Sequence, residues 1–157
     1  MKKLKLYLET SVWNFYFADD SPEKKEITLR FFERVEHGEY EIFISNIVFR
    51  EFAKASDEKR MLLSKLISRY QPKELDLNDE IIQLAAKYLL EGVLPEKAAE
   101  DSKHAAVASV HEMDALISWN LKHLANLKRM EKINGVNLKE GYTKRLALMT
   151  PMEVSDE

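Results

Sequence analysis

Leu4, Leu6 and Leu8 alternate with Lys3, Lys5 and Tyr7, the two-residue period of a β-strand. The apolar run resumes beyond Glu9 with Val12, Trp13, Phe15, Tyr16 and Phe17. From Ser21 the period lengthens. Ile27, Phe31 and Val35 recur every four residues with Phe32 alongside, which predicts a helix carrying one apolar stripe. Ser21 can cap that helix, Pro22 suits its first position and Gly38 can end it. Residues 40–45 read as a second strand, and Asn46 can cap a helix through Ile47, Phe49 and Phe52. Asp57 can cap the next helix, which carries Met61, Leu62, Leu66 and Ile67 before Pro72 stops it.

Leu75 and Leu77 mark a short third strand. Asn78 then opens a helix containing Ile81, Ile82, Leu84, Ala85, Tyr88 and Leu89, closed by Gly92. Pro95 precedes a helix holding Asp101, and residues 105–108 make it apolar nearly all round, as a buried helix is. Residues 115–118 predict a fourth strand, and residues 121–133 a helix ended by Asn134 and Gly135. Residues 146–150 complete a fifth strand, stopped by Pro151. Helices long enough to serve as crossovers between successive strands imply parallel pairing in a layered α/β fold. With no repeat, linker or low-complexity segment, residues 1–157 are expected to form one domain.

Composition narrows the chemistry. The chain is 45% apolar and 32% charged, the balance of an ordered globule and not of a disordered chain. It has no cysteine, which excludes disulfide scaffolds, thiolate zinc sites and cysteine nucleophiles. Neither a signal-peptide pattern nor a membrane-length apolar stretch is present, so the expected compartment is the cytoplasm. The net charge of −3 is uneven: residues 119–145 hold seven Lys/Arg against Glu131 and Glu140, which is +5 and leaves −8 on the rest. A basic segment on an acidic body is compatible with a polyanionic substrate, and equally with a solvated helix face.

Position supplies the candidate site. In open parallel sheets ligands bind beyond the carboxyl ends of the strands, where strand order reverses. Glu9 closes the first strand, Glu51 lies in the helix leaving the second, Asp101 is near the start of the helix feeding the fourth, and Asn120 lies just past the fourth. Glu100 competes with Asp101, but Asp101 shares a helical face with His104, Ala105 and Ala108, the small-residue side expected against the sheet. Plain structural roles are open to each: a local cap for Glu9, a solvent-facing acid for Glu51, a helix N-terminal acid for Asp101, a turn for Asn120. His104 is expected in the core or behind the acids, not as a ligand.

Three carboxylates crowded together repel, and one is driven to protonate unless a cation joins them. Oxygen ligands suit Mg²⁺ or Mn²⁺ better than zinc, and such a site serves phosphodiester chemistry. Rival chemistries lack parts. Four glycines build no phosphate-cradling loop, no serine stands in a G-x-S-x-G elbow, and the four histidines form no H-x-x-x-H pair.

At these residues the chain resembles the PIN domain family, and within it the small VapC-like ribonucleases. The stretch 7–12 is similar to the family's opening strand, acid, Thr and Ser; 44–52 to its second-acid helix; 100–108 to its acid-plus-alanine helix; and 114–124 to its fourth strand and turn. The resemblance implies a five-stranded parallel sheet flanked by helices in three layers, and Mg²⁺- or Mn²⁺-dependent cleavage of RNA. It implies Glu9, Glu51 and Asp101 as catalytic metal ligands with Asn120 as an outer partner. Lys122, Lys128 and Arg129 become candidate RNA contacts, and a homodimer, sometimes a toxin held by a small antitoxin, is the expected assembly. Two positions depart from the family pattern: Glu9 where Asp is usual, and Asn120 where many relatives carry Asp. Those departures motivate an alternative, a PIN-fold module that binds RNA or a protein partner without cutting.

Overall fold

The computed structural model describes residues 2–155; residues 1, 156 and 157 of the expected domain lie outside that span. Five strands form one all-parallel sheet: β1 (Leu4–Leu8), β2 (Tyr40–Ser45), β3 (Lys73–Leu75), β4 (Ala115–Ile117) and β5 (Ala147–Met149), in the order β3-β2-β1-β4-β5. The chain winds outward from β1 to β3, returns to β4 on the other side of β1, and continues to β5. The reversal falls between β1 and β4, so the crevice at their carboxyl ends is the natural ligand position.

β1 is central, and both its faces are covered. Leu6 and Leu8 pack with Ile42, Ile44, Ala115 and Ile117 on one face, while Tyr7 packs with Phe43, Leu116 and Leu148 on the other. The first face is covered by α1 (Thr10–Phe15), α2 (Pro22–Glu36), α4 (Asp57–Tyr70) and α8 (Pro151–Ser155), through Val12, Trp13, Phe31, Phe32, Leu63, Leu66 and Val154. The second is covered by α5 (Asp79–Leu90), α6 (Ala99–Val110) and α7 (Leu127–Lys139). Helix α3 (Asn46–Phe52) straddles the two, sending Ile47 to one core and Val48 to the other. This is the expected three-layer α/β/α arrangement. Among the described residues no helix is long and apolar enough to cross a membrane.

Helix α6 shows why its sequence is alanine-rich. His104 through Ala108 are fully buried between the sheet and α5, and small side chains permit that close approach. A second buried group ties α5, α6 and α7 together: the Tyr88 hydroxyl donates to Asn137 Oδ1 at 2.5 Å, and Asn137 Nδ2 donates to Ser109 Oγ at 2.9 Å.

Several boundaries differ from expectation. Ser45 and Ser56, not Asn46 and Asp57, cap α3 and α4, through bonds from the amides of Ile47 and Lys59. β3 ends at Leu75, so Leu77 lies beyond the strand. Residues 10–15, which the apolar run concealed, form α1, and Pro151 opens α8 instead of only stopping β5. The largest change is α7. It starts at Leu127 behind the Asn126 cap and runs straight through Asn134 and Gly135 to Lys139. Asn134 is not a helix stop: its amide donates to the carbonyls of Met130 and Leu146 and accepts from the Leu146 amide, fastening the approach to β5.

Candidate functional site

Glu9, Glu51 and Asp101 come from three elements to the carboxyl edge of the sheet. The Glu9 amide continues the β1–β4 ladder by donating to the Ile117 carbonyl at 3.0 Å, so its side chain emerges at the reversal point. Its Oε1 accepts from the Ser11 amide at 3.2 Å, the Ser11 hydroxyl at 2.5 Å and the Ser118 hydroxyl at 2.7 Å. The first bond makes Glu9 the N-cap of α1, so the plain structural role is real and coexists with its place at the edge. Glu9 is only 6% exposed, yet all three donors are neutral. A carboxylate so buried is ordinarily offset by positive charge.

Glu51 faces inward, not to solvent. Its Oε1 accepts from the Thr10 hydroxyl at 2.8 Å and is 2.7 Å from His104 Nε2. His104 is fully buried, with Nδ1 2.6 Å from the Tyr7 hydroxyl, which is itself 2.6 Å from Ser45 Oγ. His104 thus stands behind an acid, as expected. Burial alone pushes the imidazole's pKa down. The Glu51 hydrogen bond, with the charges of Glu9, Glu51 and Asp101, outweighs burial and holds it above its ordinary value. Burial likewise pushes Glu51 up, but the bond and charge of His104 and the bond from Thr10 bring it below the usual carboxylate range.

Asp101 is the stressed member. Burial raises its pKa, and the nearby negative charge of Glu9, then that of Glu51, add to the rise against the opposing pull of His104 and His123. Like charge on Glu9 and Glu51 thus adds to a rise that burial causes first. Asp101 Oδ2 accepts from Asn120 Nδ2 at 3.2 Å and lies 3.3 Å from His123 Nδ1. Glu100, the rejected alternative, pairs with Lys103 at 3.2 Å. Asn120 is oriented by the His123 amide, which donates to its Oδ1 at 3.0 Å, so Asn120 offers Asp101 an N–H and not an oxygen.

These bonds gather on one oxygen of each carboxylate: Oε1 of Glu9, Oε1 of Glu51 and Oδ2 of Asp101. Among the described residues no three His, Asp or Glu side chains are gathered closely enough to hold a metal ion between them. The donor set nevertheless suits a hard cation in its chemistry, being oxygen-only and short of positive charge.

Thr10, Ser11, Ser118 and His123 complete the site through their contacts with Glu51, Glu9 and Asp101. Their signal was adjacency: Thr10 and Ser11 follow Glu9, and Ser118 and His123 flank Asn120. The basic candidates divide. Lys122 and Lys128 are exposed, whereas the Arg129 guanidinium donates to the Val93 carbonyl and ties α7 to the loop after α5. The apparent basic segment is also partly neutralised in place. Lys139 pairs with Glu91, Lys144 with Asp114 at 2.8 Å and Arg145 with Glu131 at 2.6 Å.

No protein-family model matches this chain, and no curated protein matches it. Among solved structures it is similar to a chain in the crystal structure of VapBC2 from Rickettsia felis bound to a DNA fragment from their promoter. The two superpose with a TM-score of 0.53 at 19% identity, over 76% of this chain and 90% of that one. At that identity the likeness is one of fold.

Proposed function

We propose that this chain is a divalent-cation-dependent endoribonuclease of the PIN type. Buried Glu9, whose three hydrogen-bond donors are all neutral at the strand-order reversal, supports the reading most directly, because a bound cation would offset its charge. Glu9, Glu51 and Asp101 would hold Mg²⁺ or Mn²⁺. When bound, the ion offsets negative charge on a phosphoryl group in transfer. The chain's own residues then position the acids. Ser11 and Ser118 fix Glu9, Thr10 and His104 fix Glu51, and Asn120 with His123 fixes Asp101. Exposed Lys122 and Lys128 are the candidate backbone contacts of the basic segment. The fold likeness to a chain of the VapBC2 structure supports an antitoxin partner, and a homodimer belongs to the same proposal.

The test is cleavage of single-stranded and structured RNA with Mg²⁺ or Mn²⁺, wild type beside Asp101→Asn. Cation-dependent cleavage that the variant loses by at least about a hundredfold supports the reading; equal cleavage by both rejects it. One observation favours a second reading, an RNA- or protein-binding module without cleavage. The acids are not pre-gathered into a cage, and Asn120 brings no charge. RNA retained without any cleavage under either cation would select that alternative.

A further inference from the structure

We infer that Lys24 is a substrate anchor, contacting a phosphate of the RNA strand beside the acidic edge; this rests on the nuclease reading above. Because β1 and β2 are parallel, α2 must carry the chain back from the carboxyl to the amino end of the sheet. Its first turn, and Lys24 with it, therefore lies at the end that holds the acids. There the Lys24 ammonium sits 5.4 Å from the Phe15 ring centroid and 5.5 Å from that of Trp119. Those rings are themselves 5.9 Å apart.

Trp119 is locked in place. Its indole N–H donates to buried Thr28 Oγ1 at 2.9 Å, and its amide donates to Ser11 Oγ at 2.8 Å, the same hydroxyl that donates to Glu9. Its neighbours in sequence, Ser118 and Asn120, donate to Glu9 and Asp101. The aromatic pair is thus built into the framework that orients the acids, and it holds the Lys24 ammonium beside that framework.

The adjacent Lys25 is paired with Asp19, but Lys24 has no carboxylate partner among the described residues. An ammonium held over two aromatic rings, on a half-buried residue with no carboxylate partner among the described residues, is preorganised for an incoming anion. At the end of the sheet that holds the acids, a fixed cation also gives a polyanion a point of entry that the acids alone would repel.

Lys24→Met keeps the alkyl chain over the rings and removes the charge; Lys24→Arg keeps the charge. Binding is read by fluorescence anisotropy, using a fluorescein-labelled phosphorothioate uridine oligomer with Mn²⁺ across a salt series. Lys24→Met is expected to bind severalfold more weakly. The slope of log affinity against log salt should become shallower by about 0.7, the contribution of one single-strand phosphate contact. Lys24→Arg should retain both. If Lys24→Met matches the wild type in affinity and slope, Lys24 only covers the rings and the inference falls. Should that happen while the wild type still cleaves RNA, the inference fails alone; a wild type that neither binds nor cleaves RNA overturns it together with the nuclease reading.

Discussion

Tyr7 illustrates how one buried hydroxyl serves both core and site. Its ring fills the core between the sheet and α6, and its hydroxyl joins Ser45 to His104, which in turn steadies Glu51. Burial holds the phenol far above its ordinary pKa, so it stays neutral and bridges the two without charge. Tyr7→Phe leaves the ring but strands buried His104 Nδ1 without its partner. The expected loss is about 1–3 kcal/mol in denaturant unfolding, with no change in the slope of unfolding free energy on denaturant. A loss under a few tenths of a kcal/mol would mean that the Tyr7–His104 contact contributes little to the fold. At this scale the position of Glu9 was legible in the sequence, because it directly follows the alternating residues of β1. The hydroxyls and amides that orient the acids were not. A Ser or Asn beside an acid looks the same whether it turns outward or inward, and only the strand order decides.

Helices were legible where an apolar stripe repeated over several turns, as in α2 and α5, and less so at their ends. Helix α1 was hidden because six residues cannot display a period. Asn134 and Gly135 resembled a helix stop by residue type, but the bonds Asn134 makes to Leu146 reach twelve residues along the chain and leave no local trace. The continuous helix makes a sharp prediction. Gly135 lies inside α7, away from positive φ, and a Cβ there would meet nothing within 4 Å. Gly135→Ala should therefore stabilise the protein by about 0.5–1 kcal/mol, read as a higher denaturant midpoint. Destabilisation would indicate that the helix ends where the residue types alone place its end.

Across the whole molecule, strand order turns scattered acids into one edge. Glu9 and Ser118 are 109 residues apart yet share a hydrogen bond, because β1 and β4 are neighbours on either side of the reversal. The layered parallel sheet could be read from the alternation of strands and helices. The expectation that the acids would meet at one edge followed from that sheet through a general rule of ligand placement. What the sequence could not reveal was the charge balance at the site, which depends on which cations turn toward it. Arg129, Lys139, Lys144 and Arg145 bond elsewhere, while Lys24, remote from the basic segment in sequence only, lies at the acidic end.

A buried carboxylate with only neutral donors, near a second acid whose pKa burial and that charge raise, would be offset by a bound cation. Titration calorimetry with Mn²⁺, on the wild type and on Asp101→Asn with cleavage-resistant RNA present, reads that binding directly. Saturable binding by the wild type, weakened at least about tenfold in the variant, is the expected result. A wild type that takes up no Mn²⁺, or a variant that binds it equally well, would contradict the account.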